Sequence, residues 1–379
     1  MIGVENLSCG KKVWIIFGTR PEAIKLAPLI KELKHRERLE VKICVTGQHR
    51  ELLEQSLEVF GVDYDYNLSI MSENQSLTNI TIKIFENLEK LFMENKPDLV
   101  LVHGDTTTAY ASAMAAFYQK IKVGHIEAGL RTHNQNSPFP EEVNRQMIAR
   151  IASLHFAPTL QAKQNLLNEN IKEKDIYLTN NTVIDSLKYT IKEEYTFETE
   201  ILNEINYKKN KVIIVTAHRR ENWGKGIDNI CNAAKRIVRD NKDAELIYIT
   251  HPNPLIKDTV FENLSSENRI HILESINPME FHNLMNKSYM IMTDSGGIQE
   301  EGEYLRKPIL LLRETTERVI GIEQGISKLI GTKVEDIVKE ANKVLKDKEL
   351  YVKMIEGTNF NQIEQASVKI SNIIEEYFN

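Results

Sequence analysis

Short apolar runs recur along this 379-residue chain, separated by longer stretches in which apolar positions return every three or four residues. The runs fall at 13–17, 41–45, 99–102, 123–126, 154–157, 212–215, 246–249, 290–292 and 309–312. None alternates strictly between apolar and polar positions, so each reads as a strand covered on both faces, as in parallel sheets. Strands alternating with helices of ten or more residues predict repeated βαβ units and an α/β fold.

A lysine- and glutamate-rich stretch at 188–211 interrupts the pattern. It reads as helical and as poor core material, which places a domain boundary just before it, near 179–182. The expectation is an extension at 1–11, a first Rossmann-like domain at 12–180 and a second at 181–361. After 333 the chain reads as helices, the last of them amphipathic. A chain of this length exceeds a single typical core, in keeping with two domains. Doubly wound sheets bind ligands at the carboxyl ends of their strands, so the site is expected there, in a cleft between two facing domains.

Composition narrows the partners. A net charge of −6 and a pI near 6.0 offer no general attraction to nucleic acid or anionic membranes. Cys9, Cys44 and Cys231 are odd in number and form no CxxC pair, which argues against a disulfide framework or a zinc site and fits a reducing cytosol. No apolar run reaches membrane-spanning length and no leader pattern opens the chain. The expected location is the cytoplasm.

The strand ends carry the candidate chemistry. "VWIIF" runs into "GTRPEAIK", where Pro21 suits the start of a helix and Arg20 stands at its positive end. "LVHGDTTTAY" repeats the layout with Asp105, which is either a helix N-cap or a cleft acid. "GHIEAGLRT" sets Glu127 just beyond a strand. In "PFPEEVNRQ", Glu141 and Arg145 share a helical face, as an ordinary surface ion pair would or as part of a site. Three acids gathered at strand ends suit proton transfer on opposite sides of a substrate.

In the second domain "VIIVTAHRRENWG" delivers His218, Arg219 and Arg220 in a row, a cluster suited to phosphate. "ITHPNP" places His251 similarly, with a plain structural turn as the competing reading. "MTDSGGIQEE" sets Ser295, Gly296 and Gly297 before a helix whose amide end can receive a diphosphate, with Glu301 one turn further in, near ribose hydroxyls. Phe281 is either a core residue or a platform for a base. Neither GxGxxG nor GxxxxGK[ST] occurs, so the usual dinucleotide and P-loop signatures are missing.

Taken in order, "FGTRPEAIK", "TGQH", "HGDTTT", "GHIEAGLRT", "PFPEEVNRQ", "NTVID", "TAHRRENWG" and "DSGGIQEE" resemble the non-hydrolysing UDP-N-acetylglucosamine 2-epimerases, from about Val13 to Thr332. The resemblance implies a fold like that of the B-type glycosyltransferases, with the last helix, 362–379, crossing back onto the first domain. It implies interconversion of UDP-GlcNAc and UDP-ManNAc without metal or other cofactor, in a homodimer. Asp105, Glu127, Glu141, Arg145 and His218 match catalytic or site positions, whereas Arg20, Lys25, Arg219, Phe281, Ser295, Gly296, Gly297 and Glu301 match positions holding the nucleotide or its phosphates. Gln48, His49 and His251 are the candidates for an allosteric site. The chain departs from the family pattern at Asn180, where Gly is usual, and at Val319 and Ile320, which replace a proline and an acid. Rival readings are a hydrolysing epimerase, a glycosyltransferase of the same fold and an inactive UDP-sugar sensor.

Overall fold

A computed structural model of the protein describes residues 10–47, 50–71, 75–136, 138–251, 253–274, 276–316, 318–356 and 365–379. The chain divides into two compact units, residues 1–189 with 363–379, and residues 190–362.

The first unit is built on seven parallel strands: β1 (Lys11–Phe17), β2 (Leu39–Val45), β3 (Tyr66–Asn67), β4 (Leu99–His103), β5 (Lys122–Ile126), β6 (Leu154–Ala157) and β7 (Ile176–Leu178). Their order is β3-β2-β1-β4-β5-β6-β7. Successive side chains of β1 enter opposite cores. Val13, Ile15 and Phe17 face the helices Arg20–Lys34 and Arg50–Phe60, while Trp14 and Ile16 face Leu77–Glu94 and Thr107–Tyr118. A strand buried on both faces has no use for polar alternation, hence the continuous apolar runs.

The second unit repeats the plan with β8 (Lys211–Thr216), β9 (Ala244–Ile249), β10 (Ile270–Leu273), β11 (Met290–Thr293), β12 (Ile309–Leu311) and β13 (Ser327–Leu329), in the order β10-β9-β8-β11-β12-β13. In each unit the strand order reverses at one place, between β1 and β4 and between β8 and β11. A crevice opens at such a switch point, because the connections on either side leave in opposite directions.

Several expectations need correction. Between the end of the helix Thr182–Thr190 and the start of β8 the stretch is largely irregular, with a short helix at Glu200–Glu204, and it is not poor core material. Phe197, Leu202 and Ile205 are buried against β8 and its neighbours, with Tyr195, Ile201 and Tyr207 packed beside them, so apolar anchors in a charged sequence hold it on the sheet. The first unit extends past 180 to Tyr189, taking in the helix Thr182–Thr190 except its last residue, with Val183 and Leu187 buried. β1 begins at Lys11, inside the expected extension, because its register continues there opposite Leu39. Residues 1–9 lie outside the described residues.

The closing helix, Ala366–Tyr377, returns to the first unit, where Ile370 and Ile374 join the core beside Arg20–Lys34. Its start is fastened by Asp185 of the "NTVID" motif, which accepts from the Ser367 amide at 2.7 Å and from the Ser367 hydroxyl. Asn180 has φ of +67°, the left-handed backbone that the family's glycine would adopt freely. Among the described residues no helix is long and apolar enough to cross a membrane.

Candidate active site

The turn leaving β1 is shaped by Gly18. A Cβ there would stand 2.1 Å from Thr46 Oγ1 and 2.6 Å from Thr108 Oγ1, so the end of β2 and the first turn of the helix Thr107–Tyr118 close over the backbone. Glu22, buried and at the third helical position, accepts from the Gly18 and Thr19 amides at 3.1 and 2.9 Å and from Thr19 Oγ1 at 2.7 Å. Its other oxygen accepts from Thr106 Oγ1 at 2.8 Å. One carboxyl, pushed up by burial, thus joins the turns that follow β1 and β4, on the two sides of the switch point. Arg20 opens the helix, as expected from its place before Pro21.

Asp105 is not the helix cap. Thr106 takes that role, accepting from the Ala109 amide at 3.0 Å, which leaves the Asp105 carboxylate free for Arg145 Nη2 at 2.8 Å. The backbone of the turn is held from behind: the Gly104 carbonyl lies 2.7 Å from His125 Nε2, and the Asp105 carbonyl accepts from Asn144 Nδ2 at 2.9 Å. Burial pushes the Asp105 carboxyl above its usual range. Arg145 opposes that shift, and the negative charges of Glu127 and Glu141 reinforce it. Acids whose charges oppose one another's ionisation are suited to holding and releasing a proton.

Glu127 also has left-handed backbone, with φ of +61°, an arrangement that turns its side chain back toward the strand ends. There it meets Lys25 Nζ at 2.6 Å and His103 Nε2 at 3.1 Å, with Asn181 Nδ2 at 3.5 Å from its second oxygen. Burial holds His103 down to about 4, so its ring is neutral beside the glutamate.

Glu141 and Arg145 do not form the surface pair that their spacing allows. Arg145 is buried and turns to Asp105, its Nε donating to the Glu141 carbonyl at 3.3 Å rather than to that carboxylate. Glu142, fully buried, lies 3.6 Å from the same Nε and accepts from the Thr132 and His133 amides at 3.0 and 3.1 Å. Glu22, His103, Glu142, Asn144 and Asn181 were missed in the sequence. All lie inside motifs already quoted, and the available signal was proximity to the named acids.

In the second unit the switch point holds the other group. His218 follows β8, 41% exposed, with Nδ1 3.4 Å from Asp294 Oδ1. Asp294 Oδ2 accepts from the His218 and Arg219 amides, each at 2.9 Å. The His251 ring lies face to face with His218, centroids 5.9 Å apart and planes 15° from parallel, so His251 belongs with this group. Burial and the neighbouring imidazole lower His251.

Ser295 caps the helix Gly296–Tyr304 without using its hydroxyl, and nothing lies within 4 Å of where a Cβ on Gly297 would be. The amide end of that helix is therefore open over Gly297. Over Gly296 lies the Arg318 guanidinium, with Nη1 2.1 Å from a Cβ placed there. An arginine at a helix amide end adds charge to an anion site, and Arg318 Nε also lies 2.9 Å from Glu300 Oε1. Glu301 is buried, with one oxygen 3.8 Å from His282 Nε2. Phe281 is half-buried against the second unit's core. Val319 and Ile320 are both exposed. Gln48 and His49 lie outside the described residues. Among the described residues no cluster of His, Cys, Asp or Glu has the makings of a metal site.

A family model described as UDP-N-acetylglucosamine 2-epimerase matches residues 31–375. The UDP-N-acetylglucosamine 2-epimerase of Bacillus subtilis (strain 168) is 48% identical over 359 residues, covering 95% of this chain and 93% of that protein. A structure of S. aureus MnaA with UDP has a TM-score of 0.91 at 44% identity, covering 97% of each chain. The UDP-GlcNAc 2-epimerase of Neisseria meningitidis, solved bound to UDP-GlcNAc, has a TM-score of 0.87 at 42% identity over 97% of this chain and 99% of that one. A glycotransferase of kitacinnamycin, 10% identical, shares the fold alone, with a TM-score of 0.65 over 98% of this chain and all of that one. The fold expectation is met: α/β, two parallel sheets, B-type glycosyltransferase-like.

Proposed function

Because this chain belongs to the UDP-N-acetylglucosamine 2-epimerase family, we propose that it interconverts UDP-GlcNAc and UDP-ManNAc without hydrolysing them. The observation that carries the reading is the gathering of Asp105 and Glu127 at the ends of β4 and β5, each held by a cation and within electrostatic influence of the other.

The C2 proton of the sugar is not adjacent to a carbonyl, so its direct removal is too slow. UDP on C1 is a stable leaving group. A carboxylate takes the C2 proton as the C1–O bond breaks and its electrons leave with UDP, giving a C1–C2 double bond, the 2-acetamidoglucal. In the return step a UDP oxygen bonds to C1 while an acid delivers a proton to the opposite face of C2. Asp105, Glu127 and Glu141 supply the proton acceptor and donor, and Arg145 and Lys25 keep the first two oriented. The departing diphosphate gathers negative charge, which Arg20, His218, Arg219 and the amide end at Ser295, Gly296 and Gly297 stabilise. Glu301 takes the ribose and Phe281 lies at the base. The same reading includes a cytoplasmic homodimer whose product supplies ManNAc units for cell-surface polysaccharide.

The experiment is proton NMR of the protein with UDP-GlcNAc in D2O. UDP-ManNAc carrying deuterium at C2 is the expected product. Free ManNAc with UDP assigns the hydrolysing chemistry instead, and binding without turnover assigns a sensor.

A further inference from the structure

Asp294 has no part in the scheme above, yet it is completely buried at the end of β11 and its two oxygens do different things. Oδ2 is saturated, accepting from the amides of His218 and Arg219 and from Asn222 Nδ2, all at 2.9 Å. Among the described residues Oδ1 has no hydrogen-bond partner, and it faces His218 Nδ1 at 3.4 Å. A buried carboxylate oxygen without a donor is costly, and a small rotation of the imidazole supplies one, provided Nδ1 carries the proton. Among the described residues, His251 is a second titratable group against this ring, stacked on its face. The His218 backbone is pinned as well, its carbonyl accepting from Trp223 Nε1 at 3.0 Å.

We propose that Asp294 is a positioning residue for His218, fixing the neutral imidazole as the Nδ1–H tautomer so that Nε2 faces the departing diphosphate, where on taking up a proton it donates a hydrogen bond to the developing negative charge while Asp294 balances the resulting imidazolium. This rests on the reading of His218 as a site residue. Asp294 immediately precedes Ser295, so one buried side chain also ties the His218 loop to the amide end at Gly296. Both parts of the anion site in this unit then keep their register.

The test is 15N NMR of the full-length protein labelled at histidine, at a pH where the ring is neutral, with the His218 signals identified by their loss in His218→Asn. Wild type is expected to show protonated Nδ1. Asp294→Asn retains an oxygen for the three donors now on Oδ2 and turns an NH2 group toward Nδ1, so the tautomer should switch to Nε2–H. Turnover of UDP-GlcNAc should then fall on the order of 100-fold with KM little changed, short of the ~10,000-fold loss known for a catalytic imidazole held in the wrong tautomer. A wild-type spectrum showing Nε2–H overturns the inference without recourse to any variant. So does an unchanged tautomer in Asp294→Asn. If the tautomer switches but turnover persists while His218→Asn loses it, the inference fails and His218 keeps its role. Full turnover in both variants removes His218 from the site and the inference with it.

Discussion

Lys25 Nζ lies 2.6 Å from Glu127 Oε2, an ion pair joining residues 102 positions apart, both nearly shielded from water. Removing one partner of a buried pair leaves the other charge uncompensated, at a cost of about 3–5 kcal/mol when burial is complete. Lys25→Met should therefore lower the urea midpoint markedly, toward the lower end of that range because Lys25 retains some exposure. Glu127→Gln also removes a charge, but it keeps an oxygen for Lys25, which is the more exposed partner and still feels the charge of Asp105, so it should cost less stability than Lys25→Met while turnover falls about 100- to 10,000-fold. Measuring both quantities on both variants checks the separation; equal losses of stability would refute it.

Three buried histidines in the first unit make its stability acid-sensitive. Burial holds His125 down to about 3 and His103 and His155 to about 4, against roughly 6.5 in an unfolded chain. Their folded values are depressed, so the unfolded state takes up protons first. The stability due to their neutrality is complete above about pH 6.5 and is lost as pH falls toward 4 and then 3. Glu22 and Asp105, raised by burial, act in the opposite sense, since their folded forms protonate first. His155→Gln isolates one group. Between about pH 6 and 4.5 its stability should fall less steeply than wild type by about 1.4 kcal/mol per pH unit. Parallel pH profiles would contradict this.

Two glycines should respond oppositely to alanine. At Gly129, φ is +89° and a Cβ would stand 2.2 Å from the Ala162 carbonyl oxygen, which is backbone and cannot step aside. Gly129→Ala should cost several kcal/mol, combining overpacking with left-handed strain of about 1–2 kcal/mol. At Gly296 the obstacle is the far end of Arg318, which can move. Gly296→Ala should melt near wild type but bind UDP more weakly, as a titration calorimeter would record.

Asn144 Nδ2 supports the Asp105 carbonyl without facing any reacting atom in the proposed scheme. Asn144→Leu keeps the size and removes the donor, so kcat should fall about tenfold, matching roughly 1–2 kcal/mol for an unmet carbonyl. KM should change little. An unchanged kcat would show that Arg145 alone suffices to place Asp105.

The α/β class and nine of the strand cores were legible because a strand buried on both faces must be apolar throughout, and that condition is local. β3, β7, β10 and β13 were not, because short strands at or near a sheet edge have too few buried positions to leave a run. The motifs named Asp105, Glu127, Arg145, His218 and the Ser295 turn as the candidate set. What those residues do to one another was decided by the sheets. Thr106 took the capping role, Arg145 turned from its helical neighbour to Asp105, and Lys25 reached Glu127 across the switch point. Sequence spacing limits which side chains can meet along one helix, but the order β2-β1-β4-β5 brings turns a hundred residues apart within hydrogen-bond distance. Charged groups there settle with whichever partner best offsets their loss of water, and that partner is known only once the chain has folded.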